Sequence, residues 1–462
     1  MTNDSVLYQK HVIVDAKKAT ETVEKRWKLL GELGFVPHIF STLEERSRFE
    51  SILGADAIAD GFFASDILDA TQTLNEFESW LLGSQITQAD SLIEDTLWIH
   101  PHDDWTETIL IIADRFRLPV QAGYRNCRVK PLARNLLGNR IPQPAFNVLS
   151  LDQLPTIFAN GPPYRPVVAK PIVGAGSSWV SRLMGPCDAI RYRESRTEWI
   201  CKNGHDIDSN SFFDFDPNTD LLVEEYLTGS VFQVDGFVVD TKCIVCDIGI
   251  KRHAMNPRVW SQGFAETGGV TCFPNANDEF VNRVLEWTCS VVRAVELNDS
   301  AFHIEGIWRG DELYVVEINP RVGGSDVARI ASLLSDVDLH SEMTRLAVGV
   351  PNERMPTQTE IRGIAYCVIQ PEQGRGLGEI IHLSPQLEAD LHVFGKLRRC
   401  EWRPSSGIKL NDTVGKAPHE EYIGEFHVCF DEEIASSRWD EIAEQVSSID
   451  LLDDYVQIRY ES

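Results

Sequence analysis

Three oxygen-bearing side chains, Glu305, Glu317 and Asn319, could together hold a hard cation. Two of them lie in YVVEINPRVGGS, residues 314–325, where an acid, an amide and Arg321 recur at alternate positions before Gly323 and Gly324. A strand points successive side chains to opposite faces. That places Tyr314, Val316 and Ile318 on one face and Glu317 and Asn319 on the other. Glu305 precedes them in AFHIEGIWRGDELYVVEINP, which reads as a hairpin turning at Gly310. A three-residue loop of Gly310, Asp311 and Glu312 pairs Arg309 with Leu313 and sets Glu305 opposite Glu317. A two-residue loop would shift the register by one and throw the carboxylates onto opposite faces. Facing carboxylates repel unless a cation separates them, and Glu and Asn oxygens suit Mg²⁺, which commonly carries substrate phosphates as well. The competing reading of these residues alone is an edge face of solvated acids.

The phosphate side is RPVVAKPIVGAGSSWVSRL, residues 165–183. A strand delivers Lys170, and Gly174-Ala-Gly176-Ser177-Ser178 forms a turn whose amides could wrap oxyanions. It is not a P-loop, because no Gly-Lys-Ser/Thr follows, and a glycine-serine turn between strands can also be a plain hairpin. In LLVEEYLTGSVFQVDG, residues 221–236, Glu224 and Glu225 stand between a β-rich run and Tyr226-Leu227. The stretch suits a connection that reads a nucleobase edge, or a strand emerging into solvent. Lys251, Arg252 and His253 could touch a substrate or be charges at a strand end, while Cys201 and His205 read as neighbours in a loop.

These residues need elements to carry them. KHVIVDA, FVPHIFS and TLWIHP read as strands, and ATETVEKRWKLLGELG, DATQTLNEFESWLLG and WTETILIIADRFRL as helices. This alternation predicts a small parallel sheet over the first 125 residues, without the G-x-G-x-x-G of a dinucleotide site. A short helix from Lys130 leads through a Pro-marked turn into strands around residues 165–250. A polar stretch at 198–220 reads as a surface loop. A helix follows in DEFVNRVLEWTCSVVRAVE, then the hairpin, a largely helical stretch to Gly349, and a mixed region after Pro351.

A chain of 462 residues predicts two to four domains. With 43 basic against 70 acidic residues the formal charge is −27, so nucleic acid and anionic membranes are not expected partners. No apolar run approaches the roughly 20 residues that cross a bilayer, and the N-terminus lacks a signal-like pattern. Ten scattered cysteines, with only Cys243 and Cys246 close together, read as reduced and mostly buried thiols. The expected location is the cytoplasm.

Taken in order, Lys130-Pro-Leu-Ala-Arg134, the Lys170 strand with its glycine loop, Glu224-Glu225-Tyr226-Leu227, and His303-Ile-Glu305 through Arg321-Val-Gly-Gly resemble the ATP-grasp superfamily. Together with GFAETGGVTCFP, residues 263–274, the chain most resembles its carboxylate–amine ligases, particularly L-amino-acid (dipeptide) ligases. The resemblance implies an α/β (α+β) ATP-grasp fold: an N-terminal Rossmann-like parallel-sheet domain at 1–125, an ATP-grasp domain at 126–350 with a lid-like part at about 145–225, and a mixed C-terminal subdomain at 351–462. It implies ATP and Mg²⁺ (two ions, with Mn²⁺ as a substitute) and ligation of a small carboxylate to an amine through an acyl phosphate. Lys130 and Lys170 would hold phosphates under the loop of Gly174, Gly176, Ser177 and Ser178. Glu224, with the backbone of Glu225, Tyr226 and Leu227, would read adenine, and Glu305, Glu317 and Asn319 would bind the metal. Arg321, Lys170 and Glu266 form the implied catalytic set, Glu266 facing the incoming amino acid. Val231 stands where the family often has a ribose-binding Glu, leaving Gln233 or Asp235 as substitutes, and Ser178 and Trp179 stand where the loop usually continues with a small residue and Gly. Dimers are common in the family, so a homodimer stays open. Another ATP-grasp enzyme (a carboxylase or small-molecule kinase) and a non-catalytic ATP-binding module are the alternatives.

Overall fold

A computed structural model of the chain describes residues 11–16, 20–67, 69–83, 97–99, 105–118, 120, 123–161, 163, 165–174, 179–203, 214–254, 265–324, 326–352, 355–369, 378–383, 397–404, 424–448 and 456–460. Strands β1 (His11–Asp15), β2 (Val36–Thr42), β3 (Phe62–Ala64) and β4 (Leu97–Ile99) form a parallel sheet in the order β3-β2-β1-β4. Helices Glu21–Glu32, Ala70–Gly83 and Thr106–Phe116 stand where the periodicity placed them. Sequence reading passed over Arg46–Leu53, Ala55–Ile58 and β3. These pieces are short, and Arg46–Leu53 buries only Phe49, so they carry little periodic signal.

A second sheet, antiparallel, runs β5-β8-β6-β7, from β5 (Phe146–Ser150), β6 (Val167–Pro171), β7 (Ser181–Leu183) and β8 (Asp220–Glu225). The helix Pro186–Asn203 packs on it and corrects the expected loop at 198–220, whose first residues are helical. Its buried Ala189, Tyr192 and Arg196 fall at i, i+3 and i+7, a stripe obscured by the charged residues between them. Residues 204–213 lie outside the described part.

The large sheet is antiparallel, in the order β13-β12-β9-β10-β11-β14-β17-β16. Its strands are β9 (Ser230–Val239), β10 (Lys242–Ala254), β11 (Ala265–Cys272), β12 (Ser300–Arg309), β13 (Glu312–Asn319), β14 (Gly363–Ile369), β16 (Leu397–Pro404) and β17 (Gly424–Phe430). β15 (Gly378–Leu383) pairs with β18 (Val456–Tyr460). Strands on both sides of residue 350 therefore share one sheet. One face, with Phe232, Val234, Ile250, Val270, Ile304 and Ile318, packs on helices Glu279–Ala294 and Trp439–Ser448 in the largest core. The other face carries the polar residues, and helices Val327–Ser335 and Leu339–Ala347 cover its far end.

On that polar face Asp235 and Asp247 stand directly opposite each other across β9 and β10, both fully buried. Among the described residues neither oxygen of Asp247 has a hydrogen-bond partner. Burial first, then the Asp235 charge, raises the Asp247 carboxyl well above the ordinary carboxylate range. A raised acid favours folding while protonated, and that contribution is lost as pH rises through the raised value. Asp247→Asn, neutral at every pH, should therefore melt about 2–4 °C above wild type at pH 8, with a smaller gap at pH 5. Thermal melts at the two pH values check this, and a gap that does not grow with pH would rule it out.

Candidate functional site

The hairpin β12–β13 delivers the two carboxylates by a route different from the expected one. Arg309 pairs with Glu312, so the loop is the two residues Gly310 and Asp311, with Gly310 at φ +61°. Gly306 then pairs with Val315 and Glu305 with Glu317, which leaves Val316 as the extra residue of a β-bulge. The bulge restores the register that the short loop shifted. It also overturns the expected alternation: Val316 lines the cleft instead of sharing a face with Ile318, and Val315 is the buried core residue.

The helix Lys130–Leu137 fixes this bulge through Arg134. Its Nη1 donates to Val315 O at 2.9 Å, its Nη2 to Val316 O at 2.8 Å, and its Nε to Glu224 Oε1 at 2.7 Å. Lys170 Nζ lies 2.6 Å from the other Glu224 oxygen. Glu224 is only 2% exposed in its side chain; burial opposes its charge, but Arg134 and Lys170 hold its carboxyl below the ordinary range. Both Glu224 oxygens thus engage cations of the protein, and its carboxylate braces Lys170. In the connection after it, Glu225 N donates to Ala145 O and Tyr226 N to Pro166 O. Arg182 lies 5.1 Å from the centre of the Tyr226 ring.

A cleft of about 300 Å³ opens between the second sheet and the large one. Lys130, Lys170 and Gly174 line it with Glu224–Gly229, Val231, Lys251–His253, Glu305, Ile307, Val316 and Glu317. Gly174 O accepts a 2.7 Å bond from Arg128 Nη2, and Arg128 Nη1 donates to Asn319 Oδ1 at 2.9 Å. Arg128 therefore ties Gly174 to the end of β13. Gly176, Ser177 and Ser178 lie outside the described residues. Beyond them Trp179 adopts φ +59°, its carbonyl accepts from Tyr192 Oη, and its ring lies 5.2 Å from the Arg196 guanidinium carbon. The indole packs on the helix Pro186–Asn203.

Glu305 and Glu317 face cations of the chain itself. Lys130 Nζ lies 3.5 Å from Glu317 Oε1, and Lys251 Nζ lies 2.8 Å from Glu305 Oε1 and 3.3 Å from Glu266 Oε2. His303 Nε2 is 3.3 Å from Glu305 Oε1, and its Nδ1 is 2.8 Å from Asp235 Oδ1. Burial works against the His303 charge, yet Asp235 most of all raises it to about 9. Burial likewise opposes the Glu305 charge, but Lys251 and then His303 hold its carboxyl well below the ordinary range. Among the described residues no three His, Cys, Asp or Glu side chains form a metal cluster. The donor set is two opposed carboxylates and the Asn319 amide oxygen, all hard oxygens, and that chemistry fits Mg²⁺.

Gln233 and Asp235, the two candidates for the ribose, are engaged within the sheet. Gln233 is buried and donates to Thr271 Oγ1 at 3.3 Å, Asp235 is committed to His303, and neither lines the cleft. Val231 does line it, opposite Ile307 and Lys251. Arg321, just past β13, donates to Val322 O at 2.7 Å and is not among the cleft-lining residues. Sequence reading missed Arg128, Arg134 and Tyr366. In the sequence Arg134 stands as the end of the Lys130 motif, and the signal that could have found it is a guanidinium one turn into an otherwise apolar helix face. Arg252 is held by Asp440 at 3.1 Å from the helix Trp439–Ser448, so the C-terminal stretch braces the cleft's rim.

A family model described as an ATP-grasp domain matches residues 164–329. An uncharacterized protein of Sinorhizobium fredii (strain NBRC 101917 / NGR234) is 27% identical over 184 residues, covering 40% of this chain and 34% of its own. The dapdiamide A synthase of Enterobacter agglomerans is 25% identical over 191 residues, covering 40% of this chain and 39% of its own. The aligned stretch thus spans little more than a third of each curated relative. The crystal structure of an L-amino acid ligase from Bacillus licheniformis superposes with a TM-score of 0.61 over 98% of this chain and 100% of that one, at 16% identity. That likeness shows a shared fold. Among the described residues no helix is long and apolar enough to cross a membrane.

Proposed function

We propose, from the match of residues 164–329 to a model of the ATP-grasp domain, an ATP- and Mg²⁺-dependent ligase that joins a small carboxylate, such as an amino acid, to an amine. The observation that carries the reading is the bulged hairpin, which sets Glu305 opposite Glu317 beside a cleft bearing Lys130 and Lys170. The relatives named for amino-acid ligation and dapdiamide synthesis support the same substrate class.

A carboxylate resists attack because its leaving group would be oxide. Accepting the γ-phosphoryl group of ATP gives an acyl phosphate, whose leaving group is good, and an amine then displaces phosphate to form the amide. Mg²⁺, held by Glu305, Glu317 and Asn319, would neutralise phosphate charge. Lys170, braced by Glu224, and Lys130, beside Glu317, orient the phosphates. Val168, Leu227, Val231 and Ile307 offer the base and sugar an apolar slot. With the Glu225 and Tyr226 amides bonded within the protein, the adenine edge falls to Leu227 N–H and the carbonyls of the connection. Arg321 serves the acyl phosphate from the end of β13, and Glu266 takes the amine.

ADP release against a panel of L-amino acids, singly and in pairs, with Mg²⁺ or Mn²⁺, tests this reading. Release that depends on one amino acid and rises with a second is expected. Tight ATP binding without carboxylate-dependent ADP formation would instead mark a non-catalytic nucleotide module.

A further inference from the structure

Tyr366 lies on β14, beyond residues 164–329, and nothing so far assigns it a role. The register brings it into the site. Lys251 pairs with Gly269, and Gly269 with Tyr366, so the three stand in one row across β10, β11 and β14. The middle position has no side chain, and the geometry shows why. A Cβ at Gly269 would meet Tyr366 Oη at 2.8 Å and Ile250 O at 2.3 Å, and one at Gly268, where φ is +149°, would meet Tyr366 O at 2.3 Å. The Gly268-Gly269 pair is therefore the gap through which β14 closes on β11 and the phenol crosses to the neighbouring residues.

The phenol ends on Glu266. Tyr366 Oη donates to Glu266 Oε1 at 2.7 Å, while Lys251 Nζ lies 3.3 Å from Oε2 and continues to Glu305 at 2.8 Å. Tyr366 is 4% exposed, whereas a quarter of the Glu266 side chain remains open. A donor on each oxygen fixes the carboxylate plane. The row thus runs phenol, carboxylate, ammonium, carboxylate, and it links the C-terminal strand to the metal hairpin.

We propose that Tyr366 is the positioning residue of the second-substrate subsite: it holds Glu266 so that the carboxylate receives the amine of the acceptor amino acid. The proposal rests on the ligase reading above. It makes affinity for the acceptor depend on a strand outside the ATP-grasp stretch, while the nucleotide cleft, which Tyr366 does not line, is untouched.

A hydrogen bond to a charged group is worth about 1.5–3 kcal/mol. Tyr366→Phe, which keeps the ring in its gap, should raise the acceptor KM roughly tenfold or more while the KM for ATP stays within about twofold. The assay is ADP release with the amino-acid pair most active on wild type, varying ATP and each amino acid in turn, with melting temperature as the fold control. An acceptor KM that does not move, or an equal rise in the KM for ATP, overturns the proposal and leaves the ligase reading standing. Wild type that releases no ADP with any pair overturns the ligase reading, and this proposal with it.

Discussion

Arg134→Met should cost the fold about 3–5 kcal/mol and abolish nucleotide binding, although Arg134 is not among the residues lining the cleft. Its side chain is 4% exposed and makes three bonds at once: Nε to Glu224, Nη1 to Val315 O and Nη2 to Val316 O. Removing it leaves a buried carboxylate with Lys170 as its remaining cation and strips both carbonyls at the bulge of their donor. The bulge is what sets Glu305 opposite Glu317, so Lys170 and the opposed carboxylates should lose their places together. Arg134→Lys should not rescue, because one ammonium cannot make a three-way fork. Glu224→Leu combined with Arg134→Met should cost less than the two changes summed, since the charges leave together. Urea unfolding of the four variants measures this, and additive losses would show that the residues do not act as a unit.

The same triad shows what was legible beforehand and what was not. Lys170, Glu224 and Glu305 are conspicuous in sequence because acids and lysines interrupt apolar strands. The hairpin itself was legible, as was the facing of Glu305 and Glu317. The means was not: a two-residue loop and a compensating bulge at Val316 pair the same residues as a plain three-residue loop. Alternation along one strand cannot tell them apart, because the bulge is fixed by Arg134 from 182 residues away. Long-range partners hide in the same way. Arg128 reads as one more cation of a helix, yet it joins Gly174 to Asn319. Tyr366 reads as one more core aromatic until the Gly268-Gly269 gap shows where its hydroxyl goes. Asp235 reads as a substitute for the missing ribose-binding Glu, but His303 sits directly across the sheet and takes it.

Glu317→Gln is expected to lower turnover by about 100-fold or more while leaving stability within about 0.5 kcal/mol of wild type. The Glu317 side chain is 30% exposed and its partner is Lys130 at 3.5 Å, an ion pair of the kind that contributes little to folding. An amide of the same size keeps the strand and its bulge, so what changes is the charge opposite Glu305. Glu305→Gln should lose turnover equally but also destabilise the fold, because Lys251 and His303 would then face a neutral amide. The contrast separates a ligand's role from a brace's. Calorimetric titration of ATP with and without Mg²⁺ gives a readout that does not need turnover: wild type should bind more tightly with the ion, and both variants should lose that difference. If Glu317→Gln keeps its Mg²⁺ dependence, the opposed carboxylates are not the metal's seat, and the row from Glu266 to Glu305 would be a brace between strands.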